Sequence, residues 1–440
     1  MNRLVFAAIF ATATILFSVD VSISNVADFL IPFTTSFLGI SLFITLSTIF
    51  ILLSFVLMRL IKNIASQIIS GSNYFRILHY IVLATQSSLI GILIVILTQI
   101  LAFSEYSTYL LALATLVITA SSAAVCVISL VILLGWYRVN RSSYVALIFA
   151  VAFAFNIYIF LYLGITDTFK LAEKSDFITP DSGVKYATDT YQPWTINSVL
   201  WDTYRIGTTG IFILFLAGSA MILHHYASKI GRVKFWTLIL LPTVYYSSTL
   251  VDTFGLYVPE SDADFFNYYV YVSLNGVIGG VLLGFAFWTI AKAMRANKSV
   301  AKYLQLCSYG FVLNFIAGVG VLVASSYPPY GFVSFAMLTL SSYMIILGLY
   351  STAISISQDI RLRQYIKDLS KADSGFLNTI GQAQMEKQVQ SKASALENVV
   401  KEQRLELEKK SGIQSSVQQQ DIKQYLLEVL QEVDKHKSAQ

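Results

Sequence analysis

Ten apolar runs, near positions 4–19, 38–60, 78–102, 108–137, 142–164, 206–228, 235–258, 267–291, 303–327 and 331–357, divide the first 358 residues of this 440-residue chain. Most approach or exceed the roughly twenty residues that an α-helix needs to cross a hydrocarbon layer about 30 Å thick. A backbone in that layer has no water to bond, so it must satisfy its own N–H and C=O groups within helices or closed barrels. Runs this long and this continuous select helices. The expected fold is therefore all-α: a polytopic transmembrane bundle of about ten helices over residues 1–358, followed by a charged helical tail over 359–440. Composition agrees, with 56% hydrophobic and only 12% charged residues, about half the charged share of a soluble domain.

Charge placement supports the same division. Arg3, then Arg59, Lys62 and Arg76, then Arg138 and Arg141, then Lys229, Arg232 and Lys234, and finally Lys292, Arg295, Lys298 and Lys302 all fall on one side, with no acid among them. The opposite side carries Asp20, Asp28, Glu105, Asp167, Glu173, Asp176, Asp181, Asp189, Asp202, Glu260, Asp262 and Asp264, against Lys170, Lys174, Lys185 and Arg205. Basic loops mark the cytoplasmic side, so both termini are expected in the cytoplasm of a plasma-membrane protein. The net charge of +5 is accounted for by this sorting and gives no reason to expect nucleic acid as a partner. The first run also fits a secretory signal, which would reduce ten helices to nine, although its end lacks a clean small-x-small cleavage pattern.

Two segments on the acidic side are longer than turns. Residues 20–37, with Val26, Phe29, Leu30 and Phe33, suit a short helix lying in the interface. Residues 165–205 form the largest connection, and Pro180, Pro193, Trp194 and Trp201 within it suit a cap over the bundle.

Chemistry has little to stand on. Cys126 and Cys307 both lie in expected spans, which leaves neither a disulfide framework nor a Cys-rich metal site. His79, His224 and His225 have no acidic neighbours, and no Ser-His-Asp set, phosphate-binding glycine loop or HExxH sequence occurs. The reading is of a protein that is not an enzyme and needs no cofactor.

Asp252 is the one carboxylate that falls inside an apolar run, near its outer end. It follows Pro242, which removes a backbone donor from that helix, and it shares a face with Tyr245 and Thr249. With Tyr246, Asn275 and Asn314 these residues form a candidate ligand pocket opening outward; the plainer alternative is an interfacial aromatic belt with interhelical hydrogen bonds. Gly276, Gly280 and Gly284, and then Gly310 and Gly318, have the four-residue spacing that lets helices approach closely.

The tail holds 13 basic and 12 acidic residues in 82 positions. Met385, Val389, Leu396 and Val399 form an imperfect coiled-coil pattern that fails at Gln403 and Glu406. After Ser411-Gly412, Asp421 can cap a second helix whose Ile422, Leu426, Val429 and Val433 share one face. That stripe implies self-association, docking on the membrane or a cytoplasmic protein partner, in addition to the lipid bilayer around the bundle.

Ser325-Ser326-Tyr327-Pro328-Pro329-Tyr330-Gly331, followed by Leu340-Ser341-Ser342-Tyr343 and Gly348-Leu349-Tyr350-Ser351-Thr352-Ala353-Ile354-Ser355, resembles the last-helix signature of a set of uncharacterised multi-pass membrane proteins of ammonia-oxidising archaea. Ile380-Gly381-Gln382-Ala383-Gln384-Met385-Glu386 resembles the start of their tails. The resemblance covers the final third of the chain and implies an archaeal plasma membrane and a helical tail, with no activity attached. Three functions follow as expectations: a membrane sensor or scaffold with a partner-binding tail, a transporter or channel for a neutral or weakly polar solute, or an accessory subunit of a larger membrane complex.

Overall fold

The computed structural model describes residues 3–139, 141, 143–172, 176–180, 196–225, 231–253, 262–294, 298–319 and 327–358. The tail, with Ile422, Leu426, Val429 and Val433, lies outside them. Ten long helices occupy the described chain: α1 (Arg3–Asn25), α2 (Phe37–Gly71), α3 (Asn73–Phe103), α4 (Thr108–Val139), α5 (Tyr144–Ala172), α6 (Ile196–His225), α7 (Arg232–Thr253), α8 (Asp262–Ala293), α9 (Lys298–Val319) and α10 (Leu338–Gln358). The fold is all-α. Among the described residues, seven helical segments are long and apolar enough to cross a membrane: Ala8–Asn25, Phe37–Ser66, Asn73–Phe103, Thr108–Val139, Tyr144–Phe169, Ile206–His224 and Phe332–Ser355. The chain is membrane-embedded. The described apolar part of α8, Val277–Lys292, is shorter than these seven.

Several helices outrun their apolar stretches. α1 continues through Asp20 to Asn25, where an interfacial segment was expected to begin, and only then do a single 3-10 turn (Ala27–Leu30) and a short helix (Ile31–Thr34) lead into α2. Helix is the cheapest way to satisfy the backbone, so it persists while side chains can accommodate it. Hydroxyls in these stretches satisfy themselves by bonding back one turn, so they do not end the helix: Thr14 to Phe10, Ser18 to Thr14, Thr166 to Tyr162 and Thr168 to Gly164. The expected external segment 165–205 contracts for the same reason, since α5 reaches Ala172 and α6 begins at Ile196. Within it, β2 (Phe177–Ile178) pairs antiparallel with β1 (Tyr106–Ser107) in the α3–α4 turn. Thr108 N–H donates to the Asp176 carbonyl at 3.0 Å, which pins this part of the segment to the end of the bundle.

α4 packs along α5, α5 along α6, α7 along α8, and α9 between α8 and α10; α1 lies against α8, α9 and α2. Phe149, Phe215, Phe287 and Phe311 bring α5, α6, α8 and α9 together, with ring centroids 4.8–6.4 Å apart. The decisive asymmetry concerns the last helix. Every residue of its best apolar window within Phe332–Ser355 is buried, against 39–50% in the other six candidate spans. α10 touches α2, α3, α4 and α9, and so forms the axis of the bundle.

Small residues permit this enclosure. A Cβ on Gly280 would collide with the Phe315 side chain, and one on Gly284 would lie 2.5 Å from Val312 and 2.8 Å from the Ser308 carbonyl, so both allow α8 and α9 to close. At Gly310 a Cβ would sit 2.8 Å from the Ile345 nitrogen, which places this glycine at the α9–α10 contact. Gly318 departs from the expected packing role. It occupies the last turn of α9, where it is exposed, and a Cβ there would meet nothing within 4 Å among the described residues. Gly276 has its side-chain position outside the described residues.

Candidate functional site

The axial segment is polar where it meets its neighbours. It is also interrupted: a short helix, Phe332–Phe335, is followed by a turn at Ala336 and Met337 before α10 begins. Gly331 opens it with φ of 91°, a left-handed conformation that glycine adopts without strain. An interruption inside a membrane bundle leaves backbone groups without helical partners, and other elements must supply them.

Asp20 supplies them at one end. Its carboxylate is fully buried on α1, where Oδ1 accepts from the Gly331 N–H at 3.0 Å and Oδ2 from the Ser334 N–H at 2.8 Å. The Ser334 hydroxyl lies 2.8 Å from Oδ2 and 3.0 Å from the Gly331 carbonyl, so its one proton chooses between them. Gln86 of α3 supplies the other partner. Its Nε2 donates to the Ala336 carbonyl at 2.9 Å, and its Oε1 accepts from Ser54 of α2 at 3.3 Å.

Further joints follow along α10. Thr339 Oγ1 lies 3.0 Å from Ser121 and 2.9 Å from Ser122 on α4. Asn314 Oδ1, on α9, accepts from the Ser341 and Ser342 hydroxyls at 3.3 and 3.2 Å. Tyr343 reaches His79 Nδ1 on α3 at 3.5 Å. Past these, Tyr350 is held between Trp136, stacked at 5.6 Å, and Phe75, at 4.3 Å. Four helices, α1, α3, α4 and α9, thus bond directly to one enclosed segment through a seam of buried polar atoms, and α2 joins it through Ser54 and Gln86.

The end near Asp20 is closed by tyrosines. The Tyr330 hydroxyl donates to the Gly39 carbonyl at 2.6 Å, and Tyr106, fully buried, stacks with Tyr327 at 6.1 Å. Burial first, and then neighbouring Tyr327, pushes the Tyr106 phenol well above its ordinary value; burial and the Asp20 carboxylate do the same for Tyr330. Both therefore stay neutral hydrogen-bonding groups throughout the physiological range.

Of the expected pocket residues, Asn314 is 9% exposed and committed to the axial seam between α9 and α10. Tyr245, Tyr246, Thr249 and Asp252 fall on α7 and Asn275 on α8, and their side chains lie outside the described residues. Pro242 is buried inside α7, which continues past it.

Asp20 and Gln86 are the residues that sequence reasoning passed over. Asp20 was placed in an external segment because it ends the first apolar run. The usable signal was periodicity: Phe10, Ala13, Phe17, Asp20 and Ser24 step by three and four along one face, and all are at most 1% exposed. Compared with known proteins, the chain matches no family model, no curated protein and no solved structure.

Proposed function

We propose that this protein is an integral membrane sensor or scaffold in which the axial helix relays the state of the Asp20 end of the bundle to the tail. One observation carries the reading: the segment with no exposed face, Phe332–Ser355, is also the one that runs directly into the charged tail at residue 359. Any shift of α1, α2, α3, α4 or α9 bears on it, and its C-terminal end leads into the tail. The basic connections support a cytoplasmic position for both ends. The helical character of α7, α8 and α9 supports ten crossings, and the resemblance of the last helix supports an archaeal plasma membrane.

The test uses the full chain in proteoliposomes. Cys126 and Cys307 are buried, so a cysteine placed in the tail by Ser394→Cys can be spin-labelled selectively under native conditions. Asp20→Asn should change the mobility or lipid proximity of that label, and deleting residues 421–437 should abolish capture of a cytoplasmic partner by crosslinking. A label indifferent to Asp20→Asn would refute the relay. Partners unchanged by the deletion would refute the role of the tail.

The interrupted helix favours a second reading. Irregular backbone at membrane depth beside a buried carboxylate is the arrangement by which transporters build solute sites. A transporter for a neutral or weakly polar solute should lose uptake with Asp20→Asn, or with Asp252→Asn combined with Tyr245→Phe. Uptake equal to empty vesicles in the wild type would remove this reading.

A further inference from the structure

The exposed face of α7 combines an apolar row of defined length with a charge at one end. Arg232, Trp236, Leu240 and Val244 recur every four residues and so form one row, with Val233 and Leu241 in the adjoining row. With Thr237 they line a shallow, open groove of about 570 Å³ between the side-chain rows of this one helix. Val233 is 81% exposed, Leu240 53% and Val244 65%, whereas Phe235 and Leu238 on the other side of the helix are buried against the bundle.

From Arg232 to Val244 the helix rises by about 18 Å at 1.5 Å per residue. One leaflet of hydrocarbon is about 15 Å deep, half of a 30 Å core. The apolar rows therefore have the length of a single acyl chain. Their polar end is marked by Arg232 and by exposed Lys234, with Trp236 one turn deeper, where an aromatic ring meets the headgroup layer. No hydrogen bond or ion pair from another described residue engages the Arg232 side chain. Among the described residues nothing competes for its guanidinium, which can take a phosphate through two parallel N–H donors.

A second copy of the chain fits this face less well. Symmetric dimers within one membrane have their axis along the membrane normal, so equivalent ends of α7 would meet. Arg232 and Lys234 would then face Arg232 and Lys234, a repulsion that no acid among the groove-lining residues offsets.

We infer that the α7 groove is a site for one anionic glycerophospholipid, its phosphate held by Arg232 and one acyl chain lying along Trp236, Leu240 and Val244. The inference rests on the proposed crossing of the membrane by α7 and is independent of the proposed signalling role. Detergent-dependent extraction from membranes is checked first; a chain released without detergent would overturn the embedding itself. The full-length protein is then examined by native mass spectrometry with phosphatidylglycerol and with phosphatidylcholine of identical chains.

The wild type should retain one phosphatidylglycerol per chain with at least a tenfold preference over phosphatidylcholine, unaffected by millimolar inorganic phosphate. Arg232→Gln should remove the preference, and Leu240→Trp, which fills the groove, should reduce retention of both lipids. Lys292→Gln, an exposed cation elsewhere in the bundle, should leave the preference intact. Equal retention of the two lipids would overturn the site. So would an effect of Lys292→Gln as large as that of Arg232→Gln, which would mean diffuse surface charge, or a dimer dissociated by Leu240→Trp, which would mean a second copy occupies the face.

Discussion

Replacing Asp20 by alanine tests whether its carboxylate holds the bundle together or merely burdens it. In the wild type, two backbone N–H groups and one hydroxyl converge on the carboxylate at 2.8–3.0 Å. After Asp20→Ala the Ser334 hydroxyl can turn wholly to the Gly331 carbonyl, already 3.0 Å away, but the N–H groups of Gly331 and Ser334 have nowhere to go. A buried donor left without a partner costs about 1–3 kcal/mol. Two such donors give a loss of roughly 2–6 kcal/mol. Asp20→Asn should cost less, about 1–3 kcal/mol, because its oxygen can still serve Ser334 while its amide nitrogen faces the Gly331 donor. The chain carries its own reporter, since Cys126 and Cys307 are free and buried and react with a thiol dye only on unfolding. Melting monitored this way should fall by several degrees in the order wild type, Asn, Ala. The opposing term is desolvation of a buried anion, which sometimes makes an apolar replacement neutral or stabilising. An Ala variant melting at or above the wild type would show that desolvation outweighs the three hydrogen bonds, and the holding role of Asp20 would be refuted.

Other joints of the axial segment make separate demands. Gln86→Leu should destabilise by about 1–3 kcal/mol, because it orphans the Ala336 carbonyl, while Ser54→Ala, which removes only a donor to Gln86, should cost under about 1 kcal/mol; the same thiol melt compares them. Gly310→Ala should cost about 1–3 kcal/mol through a clash with the Ile345 backbone, whereas Gly318→Ala should be neutral or stabilising by up to about 1 kcal/mol, as its Cβ meets open space and alanine favours helix. Alkaline pH should weaken the fold. Tyr106 and Tyr330 have raised values in the native state, so their contribution is complete below the unfolded value of about 10 and is lost as pH climbs through the native one. Tyr106→Phe should flatten the melting profile above pH 10, and an unchanged slope would argue against this assignment.

The helices were legible because hydropathy reports the membrane layer itself, but their ends were not, because hydrogen bonding rather than hydropathy decides where a helix stops. α6 starts at Ile196, before the apolar run at 206, and α1 carries on past Asp20. The interruption of the last run was invisible for a different reason. Phe335, Ala336 and Met337 carry no breaker, and what permits the turn is Gln86, far away in sequence, bonding the Ala336 carbonyl. Asn314 shows the same limit in the candidate site. Its depth in α9 was readable, but its partners depend on which helix lies beside α9, and that helix is α10, whose Ser341 and Ser342 donate to it.

Why the polar residues gather around α10 follows from the solvent. Lipid tails are as apolar as leucine, so burying leucine against leucine gives a membrane helix little reason to choose one neighbour or rotation over another. Interhelical hydrogen bonds choose, at about 0.6 kcal/mol each on average and at most about 1.7. A helix at the rim can carry such bonds on one face only, because its other face meets lipid; the axial helix meets protein on every side. Asp20, Gln86, Ser122, Asn314 and His79 bind it from α1, α3, α4 and α9, so rotation by even one residue position breaks several bonds together. Single joints are individually weak, yet the segment has no low-cost intermediate rotation between fully bonded and fully released. A central helix held in this way moves as a unit or not at all, which is the property that a relay to the tail requires and that a passively packed helix lacks.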